Sequence, residues 1–85
     1  MADVKVWNVN DRAIEGTAVT PHDTTEVKYD ALFIGTGGDV AVLLMNDTIA
    51  VTLKNTADGS FLPIGVKKVL STGTTATNII GFILG

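Results

Sequence analysis

The chain has 85 residues and no cysteine, which excludes disulfides and thiolate metal sites as reinforcement for a small core. Basic residues are scarce. Six lysines and arginines stand against nine acids, for a net charge of −3, which excludes broad affinity for nucleic-acid phosphates. No segment approaches the ~20 apolar residues of a membrane-spanning helix. The opening "MADVKVWNVND" lacks the basic start and apolar run of a signal peptide, so synthesis in the cytoplasm is expected. Helical periodicity is missing too, because no window sustains an apolar stripe at i, i+3, i+4 and i+7.

What is present is β-branched. Twelve threonines, ten valines and seven isoleucines make up a third of the chain, and such residues are stiff at χ1 and fit a pleated surface. The expected class is all-β, a small antiparallel sandwich or barrel. Hydrophobic residues make up 46% and charged residues 18%. A domain of this size buries only roughly 60–65% of its unfolded surface, so part of the apolar surface is expected to meet another copy. Charge is unevenly placed. Residues 1–58 hold all nine acids with four bases, whereas 59–85 hold only Lys67 and Lys68, an asymmetry that would help neighbouring copies choose each other.

Along the chain, residues 1–28 are polar and broken by Gly16 and Pro21, and read as an N-terminal arm or long loop ahead of a β-domain over 29–85. Within the arm, "DTTE" at 23–26 has the spacing of a capping box, but no helical pattern follows and it reads as a polar turn. "YDALFIG" (29–35) and "DVAVLLM" (39–45) read as strands apolar on both faces, flanking "GTGG". "TIAVTLK" (48–54) alternates, with Ile49, Val51 and Leu53 opposite Thr48, Thr52 and Lys54. Asn46 or Asp47 is expected to take the left-handed conformation in the hairpin turn before it. "NTADGS" pivots on Asp58-Gly59. "FLPIGVKKVL" reads as a strand whose register shifts at Lys67-Lys68, consistent with a bulge, and Pro63 confines its start to an edge. "STGTTAT" turns at Gly73, and "NIIGFILG" is an uncharged strand apolar on both faces, expected between sheets or subunits.

The glycine cluster Gly35, Gly37, Gly38 lacks the third glycine of a dinucleotide turn and the Gly-Lys-Ser/Thr of a phosphate loop, and a strand follows it. It reads as a corner between strands, with Gly37-Gly38 supplying φ > 0. The single histidine, His22, has no partner at metal-ligand spacing, and Ser60 and Ser71 sit in no nucleophile-elbow setting. No catalytic, cofactor or metal site is expected, and no cofactor. Asn46-Asp47-Thr48 matches a glycosylation sequon and reads as a turn. The interface candidates are Trp7, a tryptophan in a polar arm, and Ile79, Ile80, Phe82 and Leu84 of the last strand. Trp7→Ala is expected to weaken assembly more than folding.

Three stretches in order, "VTPHDTTE", "DALFIGTGGDVAVLL" and "FLPIGVKKVLSTGTTATNII", resemble the head-spike base proteins of tailed phages and gene transfer agents, over about residues 19–82. The resemblance implies a β-rich virion protein, made in the host cytoplasm. It implies a symmetric homo-oligomeric ring at a capsid vertex, a pentamer in the five-fold case, with the major capsid protein below and a spike fibre protein above. Members commonly carry an arginine where this chain has Gly65, and residues 1–18 have no counterpart in the pattern. Nucleic acid and membrane are not expected partners. The competing reading is a capsid or tail decoration protein, or a receptor- or glycan-binding module with Trp7 and Tyr29 as sugar platforms.

Overall fold

β-branched and aromatic runs become strands where a packed sheet can cover one of their faces, and among the described residues there are seven strands. The computed structural model describes residues 12–85. The strands are β1 (Ala13–Ala18), β2 (Ala31–Thr36), β3 (Gly38–Leu44), β4 (Val51–Thr56), β5 (Ser60–Leu62), β6 (Val66–Leu70) and β7 (Thr77–Leu84). They form two sheets of order β1-β7-β2-β5 and β4-β3-β6, and every pairing is antiparallel. The protein is therefore the all-β antiparallel sandwich expected.

The inward faces of the two sheets meet in one core. Leu32 and Ile34 of β2 and Ile79 of β7 pack against Val40 and Val42 of β3 and Val66 and Val69 of β6, with Ala76 closing one end. These positions alternate along β2 and β3, as a pleat requires, while in β6 a register shift sets Val66 and Val69 three residues apart. Burying such a side chain contributes about 1.5–3 kcal/mol, which makes this small cluster the main source of cohesion in the described chain.

"GTGG" is where the chain leaves one sheet for the other, since β2 ends at Thr36 and β3 begins at Gly38. The expectation of φ > 0 holds for one of the two glycines: Gly38 lies at φ +156°, whereas Gly37 is not at positive φ. Glycine is required because other backbone comes close: a Cβ on Gly37 would overlap the Thr56 carbonyl oxygen, and one on Gly38 would lie 2.7 Å from Thr75 Oγ1. The Gly37 N–H donates to Asp58 Oδ1 at 2.6 Å, fixing this corner to the turn that follows β4.

Three local expectations also change. The alternating strand begins at Val51, not Thr48, and Ile49 in the preceding loop is 78% exposed. Neither Asn46 nor Asp47 is left-handed; Asn55 and Asn78 are, each at φ 57°. "FLPIGVKKVL" is two strands in different sheets rather than one, because Pro63 sits where the chain crosses between them and cannot extend a ladder. The register shift within it is present, since Lys68 pairs with Leu43 and Val66 with Leu44, leaving Lys67 as the extra residue.

Residues 13–18, inside the segment read as an arm or loop, form β1 along β7. After β1 the chain stays extended and runs beside β6: the amides of His22 and Val27 donate to the carbonyls of Val69 and Lys67, both at 2.8 Å. This segment covers the outer edge of β6 without becoming a regular strand.

Candidate interaction surface

β7 alternates Ile79 and Gly81 inward with Ile80, Phe82 and Leu84 outward. Register carries the outward row across the sheet. Ala18 and Gly16 of β1 stand opposite Ile80 and Phe82, while Phe33 and Ala31 of β2 stand opposite them on the other side. Phe61 of β5 is paired with Phe33 and extends the row to the sheet edge. The Phe61 and Phe82 ring centroids are 6.1 Å apart at an interplanar angle of 31°, a tilted aromatic pair. Phe82 also lies over Gly16, where an added Cβ would come within 3.3 Å of its ring. The outward row therefore carries aliphatic and aromatic groups and no charge.

Of the sequence-based interface candidates, Ile80, Phe82 and Leu84 share this outward face and are half-buried. Ile79 belongs to the core between the sheets. Trp7 lies outside the described residues. The structure adds Phe61, 52% exposed, and Phe33. Their signal was present in the sequence, because Phe61 is out of phase with Leu62 and Ile64, both packed against the core. Ile14 at 60% and Val51 at 41% are further large hydrophobic side chains in the open, both on edge strands.

Tyr29 is not available as a sugar platform. Its ring packs inward against the backbone of Gly81 and the core, and its backbone bridges Val66.

At one end of the sandwich the polar turn around Asp23 is tied to the β6–β7 turn. Asp23 Oδ1 accepts from the Thr72 amide at 2.9 Å and from Ser71 Oγ at 3.1 Å, and Oδ2 accepts from Thr72 Oγ1 at 2.6 Å. The Thr72 hydroxyl, then its amide, hold the Asp23 carboxyl down at about 2, against an ordinary value of 3.8. His22 serves the same turn, its Nδ1 accepting the Thr24 amide at 3.2 Å. Among the described residues no three histidine or carboxylate groups come together where a metal ion would sit.

One further carboxylate, Asp39, holds the corner of the second sheet. Asp39 Oδ1 accepts from the Asn55 amide at 3.1 Å, and its Oδ2 lies 3.7 Å from the Lys54 ammonium. These acids serve backbone geometry. The outward face of the four-stranded sheet, in contrast, is apolar and uncharged along its central row.

No family model matches the sequence, and no curated protein does. Among solved structures, a chain of the "Capsid of native GTA particle computed with C5 symmetry", a gene transfer agent particle, is similar over 91% of this chain and 90% of that one. The two share 32% sequence identity and superpose with a TM-score of 0.77. At that identity over nine-tenths of both chains, the protein belongs to the same family as this gene transfer agent capsid chain, and it is a structural protein of the virion particle.

Proposed function

We propose that the protein is a non-enzymatic ring component at the capsid vertex, where it forms the base of a head spike or fibre. The observation that carries this reading is the uncharged outward face Phe33, Phe61, Ile80, Phe82 and Leu84, which no other element covers among the described residues, in a chain of a capsid-particle family. Apolar area of this kind is costly to leave in water and marks a contact surface. The five-fold symmetry applied to the related capsid supports a five-fold ring, because closed heterologous contacts between identical copies generate such rings. The ring would stand on the major capsid protein and carry a spike fibre protein. The outward aromatic face is the surface we assign to contact with these other particle proteins.

The test is the mass of the purified protein by light scattering over a range of concentrations, followed by localisation in reconstructed particles. A discrete, concentration-stable oligomer found at the vertices is the expected result. A monomer at every concentration, or density for the chain only away from the vertices, would overturn the proposal.

A further inference from the structure

The strand orders leave unequal edges. In the three-stranded sheet, β6 is covered by the segment that follows β1, through the His22 and Val27 amides, whereas among the described residues nothing pairs with the outer side of β4. In the four-stranded sheet, β5 has only three residues and runs into Pro63, whereas β1 has six residues, all exposed. Among the described residues, nothing pairs with the outer edge of β1. Connectivity fixes the sides. Because the chain passes directly from β1 to the cover of β6, these two edges share one side of the sandwich. The tight turn at Asp58-Gly59, whose amide donates to Ile34 O at 2.7 Å, keeps β4 and β5 together on the other. The two long bare edges therefore face opposite ways.

The exposed apolar side chains follow the same division. Ile14 lies on β1; Val51 starts β4 and Ile49 lies in the loop just before it, with Phe61 on β5 at the same side. Charge is complementary as well. β1 carries Glu15, and β4 carries Lys54, 71% exposed despite its long contact with Asp39. A bare edge presents a row of unpaired N–H and C=O groups that another strand can satisfy.

We propose that β1 of one copy adds to β4 of the next, so that the four-stranded sheet of each subunit continues into the three-stranded sheet of its neighbour. Different edges meet at each contact, so the contact is heterologous and closes into a ring when the rotation per copy allows. Main-chain hydrogen bonds give the join its affinity, Ile14 and Val51 lose their exposure, and Glu15 with Lys54 selects β4 over another β1. This rests on the ring reading above and names the surface that builds the ring.

The β1 amides can be assigned. Val19 N donates to Ile79 O, so by antiparallel alternation the amides of Thr17 and Val19 face β7, and those of Gly16 and Ala18 face outward. Ala18→Pro thus removes an outward donor while leaving the β7 ladder its bonds. The test is native mass spectrometry of the wild-type chain, Ala18→Pro, Glu15→Lys, and the double variant Glu15→Lys with Lys54→Glu. It is combined with hydrogen exchange at Gly16 and Ala18 and with circular dichroism to confirm the fold.

The expected result is a wild-type ring, single chains for Ala18→Pro and Glu15→Lys at unchanged β content, and recovery of the ring in the double variant. The outward amides are expected to be protected in the ring and to exchange freely in the single chains, read at Gly16 in both variants and at Ala18 in Glu15→Lys, since proline has no amide hydrogen. A wild-type ring that survives both Ala18→Pro and Glu15→Lys would overturn the edge join and leave the ring reading standing. A wild-type monomer would overturn both. Protected Gly16 and Ala18 amides in monomeric Glu15→Lys would mean that the chain's own first eleven residues cover β1, and would overturn the join.

Discussion

The ring of Tyr29 lies directly on the backbone of Gly81: a Cβ added to Gly81 would stand 2.5 Å from Tyr29 Cγ and 2.6 Å from both Cδ atoms. Residues far apart in sequence are thus locked across the start of β2 and the middle of β7. Gly81→Ala is expected to push the ring off the sheet and destabilise the fold by about 1–3 kcal/mol, the usual effect of overpacking. Chemical denaturation measures this, and an unchanged midpoint would mean the ring has room to move aside.

The corner at Gly37 gives a contrast with Gly59. Gly59 is left-handed, at φ +74°, but nothing lies within 4 Å of its missing Cβ, so Gly59→Ala is expected to cost about 1–2 kcal/mol from backbone conformation alone. At Gly37 the obstacle is the Thr56 carbonyl and the backbone of Ala57 and Asp58, none of which can turn away as a side chain would. Gly37→Ala is therefore expected to cost more than Gly59→Ala in the same denaturation series. Equal losses would remove close approach as the reason for this glycine.

Asp23 makes the join between the arm segment and the β6–β7 turn sensitive to acid. Its carboxyl is held at about 2 rather than 3.8, so the charged form is favoured in the folded chain. The contribution is fully present above 3.8 and is lost as pH falls from there through about 2. An Asp23→Asn variant is expected to be less stable than wild type at neutral pH, with the difference closing in that window. The Asp23 carboxyl titration followed by NMR reads the folded-state value directly, and an ordinary midpoint would show that the Thr72 bonds do not favour the ionised form in solution.

Phe61 and Phe82 form a pair whose coupling is measurable. Single Phe61→Ala and Phe82→Ala variants and the double variant are expected to give a coupling of about 0.5–1.5 kcal/mol. Phe61→Ala alone is expected to change folding stability less than Phe82→Ala, because Phe82 also lies over Gly16 whereas Phe61 is half in solvent. If Phe61→Ala nonetheless abolishes retention on capsids, its ring serves contact between proteins rather than folding.

Much of this fold was written in local pattern. The apolar runs read at 29–35, 39–45 and 78–85 became β2, β3 and β7, the central strands of the two sheets. The surplus of apolar residues over what a small domain can hide has its physical counterpart in the outward row of β7. β1 was illegible for the opposite reason: all six of its residues are exposed, so no alternation marks it, and it is a strand because β7 offers an edge. Phase marked Phe61 as outward, but register alone put it beside Phe33 and Phe82.

By itself, the sequence determined the all-β class, the positions of the turns at Asp58-Gly59 and Gly73, the extra residue at Lys67 and the apolar excess, since each follows from the preferences of residues adjacent in the chain. Only the tertiary structure decided which strands share a sheet, that "GTGG" and Pro63 mark crossings between sheets, and that among the described residues β1 and β4 form unpaired edges on opposite sides. Those features depend on pairings between distant segments, and a pairing is a property of two strands together that neither one specifies alone.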